Sequence, residues 1–272
     1  MWPKLLVSAL YGVLEGITEW LPISSTGHLI LLARVLKFPA RAAFFELFEV
    51  VIQLAAILAV LLLYAHRLNP FAKGRPRAAR AAVWRLWGLV LLAALPSAVL
   101  GFFLDDILDA YLYTPLVVAL SLILYGILFI LLEKWRKRHP STALLQDLTP
   151  KGALWIGLFQ SLALIPGTSR SGATVIGGLC VGQTRTAAAE FSFFLAIPTM
   201  LGAGALKTLK FFGDGLRLTH EELWMLLVGC LCAFLVSVLT IRMLLELVRR
   251  HSFLPFGIYR ILLGALVLLT FL

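Results

Sequence analysis

The chain has 272 residues, 61% of them hydrophobic and 14% charged, with a formal net charge of +10. A soluble domain runs nearer about 45–50% apolar and about 25% charged, and no water-soluble core hides such an excess behind a polar skin. A soluble enzyme, a disordered chain and a disulfide scaffold are excluded, and long non-alternating apolar runs exclude a barrel, which leaves an all-α polytopic membrane protein.

The first apolar segment, Leu5 to Leu36, is interrupted by Glu15 and Glu19 and breaks at Pro22-Ile-Ser-Ser-Thr-Gly27. It lacks a small-residue cleavage site, so no removable leader is expected. Stretches long enough to span, at about 20 residues, then follow: Phe48 to Ala65, Trp84 to Leu104 and Pro115 to Leu132. A second broken segment, Gly152 to Val181, is interrupted at Pro166-Gly-Thr-Ser-Arg-Ser-Gly172. Three more spans close the chain: Ala187 to Lys207, Leu223 to Leu245 and Leu254 to Phe271. Pro and Gly end helices, and each half of a broken segment is too short to cross. Non-helical backbone at membrane depth is tolerated only inside protein or beside a wet cavity, so both read as re-entrant helix–loop–helix hairpins.

Basic residues orient the chain. Arg67 to Arg85 crowd one loop, Lys134 to Lys151 another, and Arg242, Arg249 and Arg250 a third. Placing these in the cytoplasm puts Asp105, Asp106 and Asp109 outside, with the first hairpin entering from the outside and the second from the cytoplasm. The basic excess thus marks loops beside membrane lipids, with no nucleic acid implied. The halves also repeat: Pro22-Ile-Ser-Ser-Thr aligns with Pro166-Gly-Thr-Ser-Arg, Glu49 with Glu190, Leu86-Trp87 with Leu223-Trp224, and Pro115 with Pro255. Three spans per repeat require two inverted-topology repeats, about 1–136 and 150–272, within one integral membrane domain, with a site where the hairpin tips meet.

Ionisable side chains are expensive inside a bilayer, so they mark that site. Glu15 and Glu19 are four apart on one helix face and repel unless something positive lies between them: a divalent cation, an arginine or a shared proton. A hard cation completed by substrate phosphates is preferred. Ser24, Ser25 and Thr26 follow, one of them a candidate helix cap. His28, beside the glutamates, suits a general acid, base or nucleophile. Ser169, Arg170, Ser171 and Thr174 at the second tip form an anion cradle. Glu49 and Glu190 are expected to hydrogen-bond the broken loops. Arg260 is either a second phosphate ligand or a partner of Glu190. Trp20 reads as an interfacial aromatic, and Cys180, Cys230 and Cys232 as buried packing residues.

The segments Glu15-Gly-Ile-Thr-Glu19-Trp-Leu-Pro-Ile-Ser-Ser-Thr-Gly-His28 and Pro166-Gly-Thr-Ser-Arg-Ser-Gly-Ala-Thr174 closely resemble the bacterial undecaprenyl-diphosphate phosphatase family, also called bacitracin-resistance proteins. Glu190 to Pro198 and Ser252 to Arg260 look like the family too. The resemblance spans essentially the whole chain. It implies hydrolysis of undecaprenyl diphosphate to the monophosphate carrier and inorganic phosphate, a divalent metal (Mg2+ or Ca2+) and an active site facing the periplasm from the inner membrane. On that basis Glu15 and Glu19 hold the metal, and Arg170, Ser169 and Thr174 bind the departing phosphoryl group, with Ser24, Thr26, Ser171 and Arg260 as further substrate contacts. Ser25 is the first choice of nucleophile, activated by His28, with a metal-activated water or His28 itself as alternatives. A homodimer is left open. The rival class is a secondary transporter or flippase for an anionic lipid or solute, which shares inverted repeats and buried carboxylates.

Overall fold

The structure, a computed structural model, describes residues 2–271, without the side chains of residues 105, 106, 109 and 110. The acidic side chains expected on the outer connection therefore lie outside the described set. Eleven α-helices follow one another among the described residues: α1 (Trp2–Thr18), α2 (Ser25–Val35), α3 (Ala42–Leu63), α4 (Ala65–Leu68), α5 (Arg77–Leu112), α6 (Pro115–Arg138), α7 (Pro150–Ser161), α8 (Arg170–Cys180), α9 (Arg185–Gly213), α10 (His220–Arg250) and α11 (Leu254–Phe271).

Six of them, α3, α5, α6, α9, α10 and α11, are long and apolar enough to cross a membrane. Five run beyond the apolar stretches read from the sequence, because their capped, polar ends are helical too: Thr114 caps α6, Thr184 caps α9 and Thr219 caps α10 in a capping box with Glu222. Their outer faces are apolar. Leu91, Leu95 and Val99 on α5 and Leu231, Leu235 and Leu239 on α10 are all more than half exposed and recur every four residues. Such stripes are stable only against lipid, and the chain is a multi-pass membrane protein.

Close backbone approach builds the interior. Gly12 and Gly16 of α1 lie against Gly229 and Ala233 of α10. Gly157 of α7 lies against Ala93 of α5, and Gly126 of α6 and Gly257 of α11 face each other reciprocally. Small residues let helices touch where lipid supplies no hydrophobic drive between them. A Cβ at Gly12 or Gly157 would strike a facing carbonyl oxygen.

Helix ends gather at two ends of the bundle. At one, Lys4 of α1 pairs with Glu221 at 2.7 Å, Arg41 pairs with Glu222 at 2.8 Å, and Arg34 of α2 lies over Phe271 of α11. At the other, Arg185 pairs with Glu133 at 2.6 Å, Arg67 with Glu190 at 2.8 Å, and Arg85 donates to the carbonyls of Gln146 and Leu148. Helix α1 starts and α2 finishes at the first end, whereas α7 starts and α8 finishes at the second.

Candidate active site

Both tips are shaped by a serine in an unusual backbone conformation. Ser24 and Ser169, with φ of 73° and 71°, are the only non-glycine residues at positive φ among those described. Each is the N-cap of its second half-helix, and its hydroxyl accepts from the amide three residues on, Gly27 and Gly172. A left-handed non-glycine costs energy and persists only where its surroundings enforce it, so the pair marks a common device. Ser24 and Ser169 hold the same cap position in their loops, one residue off the Pro22–Pro166 alignment of the sequence. Gly167, at φ +88, packs against the Val118 backbone where a Cβ would collide.

Arg170, at the start of α8, crosses from the second tip to the first. Its Nε and Nη2 donate to Glu19 Oε1 at 3.2 and 2.9 Å, and its Nη1 donates to the Ser192 carbonyl at 2.9 Å. The guanidinium lies 5.9 Å over the Trp20 ring. The Ser25 hydroxyl donates to the other Glu19 oxygen at 3.3 Å. Glu19 therefore joins the candidate nucleophile to the candidate phosphate ligand. Two tips also touch through Ser171, whose hydroxyl donates to the Leu21 carbonyl at 3.2 Å.

His28 is placed differently from the expectation. Its Nδ1 lies 2.7 Å from the Ser24 carbonyl, so that nitrogen carries a proton, and its Nε2 faces the Tyr259 hydroxyl at 2.7 Å. The partner of Ser25 is Glu19, and the histidine is engaged elsewhere, which corrects the pairing of Ser25 with His28.

Burial divides the remaining residues. Ser25, Thr26, His28, Ser169 and Arg170 keep partial exposure. Ser24, Ser171 and Thr174 are buried to 1%. Thr174 bonds to the Arg170 carbonyl and to Ser192 Oγ, and Ser24 is a cap, so these two hold the tips rather than offer free donors. Arg260 is fully buried. Its guanidinium donates to the carbonyls of Pro22, Gly167 and Thr168 at 3.2, 2.9 and 2.9 Å and lies over Tyr125. Neither expected role fits that position: it clamps one loop to the other, and Arg67 takes Glu190. Arg260→Met should lower the apparent Tm in detergent, since each buried carbonyl left unpaired costs about 1–3 kcal/mol. Arg260→Lys, which keeps the charge without the fork, should recover part of it. Unchanged melting in both would show that the tips hold without the clamp.

Glu49 lies in electrostatic range of Glu15, Glu46 and Lys207, and Glu190 pairs with Arg67 instead of a loop amide. Trp20 is 1% exposed and packs edge-on to Phe193, an interior platform for Arg170 and no interfacial anchor. Cys180 is exposed and Cys230 and Cys232 are half-buried. Tyr259 and Ser192 were missed. Tyr259 adjoins Arg260 and Ser192 follows Glu190 by two, but nothing local marks an uncharged hydroxyl as part of a site.

Among the described residues no group of three or more His, Cys, Asp or Glu forms a metal cage. Glu15 is nevertheless fully buried, and neither of its oxygens has a hydrogen-bond partner. An ionised carboxylate so placed needs a cation. Two carboxylates with substrate oxygens suit a hard divalent ion, so this donor set fits one.

Apolar spans thus surround a nearly buried glutamate–arginine pair with hydroxyls beside it, inside a multi-pass membrane protein. The sequence profile of the family described as Bacitracin resistance protein BacA matches residues 8–266, and the chain belongs to that family. It is 50% identical over 267 residues to the undecaprenyl-diphosphatase of Lacticaseibacillus paracasei, covering 98% of each chain. It is 52% identical to undecaprenyl-diphosphatases of Enterococcus faecalis (95% of this chain, 94% of the other) and Streptococcus mutans (97% and 95%).

Proposed function

We propose that this protein hydrolyses undecaprenyl diphosphate to undecaprenyl phosphate and inorganic phosphate, at a site made where two re-entrant hairpins of an inverted repeat meet. The observation that carries the reading is Arg170 of one tip forked onto Glu19 of the other, with Ser25 bonded to the same carboxylate. The repeat is supported by exchanged packing: α1 of the first half lies on α10 of the second, and α7 of the second on α5 of the first. The basic loops favour a cytoplasmic placement for the end that holds Arg85 and Arg185. The first tip then opens to the periplasmic side of the inner membrane, where a lipid diphosphate left by cell-wall synthesis presents its head group.

The chemistry follows from the geometry. Substrate phosphate draws the Arg170 fork from Glu19, and the guanidinium then stabilises the equatorial charge of the transferring phosphoryl group. Ser25 Oγ attacks the terminal phosphorus, Glu19 takes the hydroxyl proton, and the bridging oxygen–phosphorus bond breaks to release the monophosphate lipid. Water then hydrolyses the phosphoserine. His28, fixed at Nδ1 by the Ser24 carbonyl, keeps Nε2 as a proton acceptor on the same tip. A divalent ion, magnesium or calcium, held by Glu15 and Glu19, would offset the charge of the diphosphate.

Phosphate release from farnesyl or undecaprenyl diphosphate by detergent-purified protein, with and without EDTA, tests this reading. EDTA should abolish it and added metal restore it. Ser25→Ala should lower kcat by about 10²–10⁴-fold, as loss of a nucleophile or its proton transfer does. Quenched turnover should leave phosphate on Ser25, and a label trapped on another residue refutes that assignment.

A further inference from the structure

Away from the two tips, a cavity of about 350 Å³ opens at the end of the bundle where the basic loops gather. Arg136 and Lys137 at the end of α6, Ser141 beyond it, Arg185 and Thr186 at the start of α9, and Arg249 at the end of α10 line it. No acidic residue is part of the lining. The proposed reaction uses none of these side chains.

The lining is built. Arg136 is 92% buried, as its 8% exposure shows, and donates to the carbonyls of Gln183 at 2.8 Å and Leu179 at 3.5 Å. Arg185 forks onto Glu133 through Nε at 2.9 Å and Nη2 at 2.6 Å. Glu133 also accepts from the Phe253 amide at 2.9 Å and is 4% exposed, so this carboxylate is fixed behind the cavity wall. Ser141 donates to the Gly182 carbonyl. Among the described residues Arg136, Lys137 and Arg249 have no ion-pair partner, and one carboxylate stands against four cations. Holding two guanidinium groups by carbonyls and a carboxylate on one side keeps their orientation without neutralising the site. Such an array suits tetrahedral oxyanions, which guanidinium groups bind with paired N–H donors and ammonium groups as point charges.

The surroundings say what carries the anion. Towards the middle of α6, Leu131 and Trp135 are about half exposed, and on α10 Met243 and Leu247 are exposed as well. A phosphate in the cavity with its alkyl chains against these residues satisfies both parts, as in basic pockets between membrane helices that hold lipid head groups.

We propose that this cavity binds a phosphate group, carried by an anionic membrane lipid, at a site separate from the catalytic tips. The inference does not depend on the proposed hydrolysis. Native mass spectrometry of the full-length protein exchanged into phosphatidylglycerol or phosphatidylcholine tests it, alongside Lys137→Gln/Arg249→Gln, both exposed positions whose change leaves the interior intact. The native chain should retain phosphatidylglycerol over phosphatidylcholine, and the double variant should retain it about tenfold less, with an unchanged gel-filtration profile as a check on folding. A lipid source predicts that millimolar inorganic phosphate does not displace the lipid. Displacement, with a phosphate-dependent rise in Tm that the double variant loses, identifies free phosphate as the source within the same chemistry. Equal retention of the two lipids with no response to phosphate, or a double variant that binds like the native chain, overturns the proposal.

Discussion

Arg170→Ala will lower kcat for prenyl diphosphate hydrolysis by about 10³–10⁵-fold, the range over which an arginine stabilises transferring phosphoryl charge. Arg170 forms an ion pair from one tip to the other, and it stands over Trp20 in a partly exposed position. Its three donating nitrogens hold Glu19 and the Ser192 carbonyl, so the group is aimed before substrate arrives. Arg170→Lys keeps one charge but loses the planar fork, and should fall between the native chain and alanine. Phosphate release in detergent, beside gel filtration to verify folding, measures both. An alanine variant within tenfold of native kcat removes Arg170 from the phosphate cradle.

Glu19→Gln carries the second large effect. Gln keeps the shape of the side chain and removes the charge that binds Arg170 and receives the Ser25 proton, so kcat should fall by about 10²–10³-fold. The Glu19–Arg170 pair is nearly buried, at 9% and 13% side-chain exposure, and breaking such a pair costs about 3–5 kcal/mol, so apparent Tm should fall as well. Glu15→Gln separates pairing from metal binding. Glu15 is wholly buried beside the Glu19 carboxylate with no donor N–H on either of its oxygens, so its neutralisation should leave melting without metal unchanged or higher. It should also raise the metal concentration needed for half-maximal rate. If both glutamate variants lose the same stability and show the same metal requirement, the division of roles between them fails.

The helical membrane class and the six spans were legible in the sequence because the water-to-lipid transfer free energy of a side chain is nearly additive along a helix. The two breaks were legible because Pro and Gly act on the backbone locally. Glu15, Glu19, His28 and Arg170 stood out by their cost in an apolar setting. Register was less secure: Pro22 and Pro166 align by residue type, whereas the positive φ of Ser24 and Ser169 sets the match one residue further along.

Partner choice was the least legible property. Three hydroxyls in a row read alike, yet Ser24 caps α2 while Ser25 reaches Glu19. His28 looked like the base for Ser25 because it is an ionisable group beside the two glutamates in apolar sequence, but the fold brings Tyr259, 231 positions away, to its ring. Arg260 looked like a ligand because it is charged, and became a clamp because Pro22 and Gly167 converge on it from 238 and 93 positions away. Residue type, hydropathy and helix-breaking chemistry act within a few residues, so the sequence by itself determined the membrane class, the spans, the two breaks and the charged groups that mark a site. Which of those groups face each other, which hydroxyl is held and which is free, and where cations gather without partners were decided only by tertiary packing, because each rests on atoms brought together from distant parts of the chain.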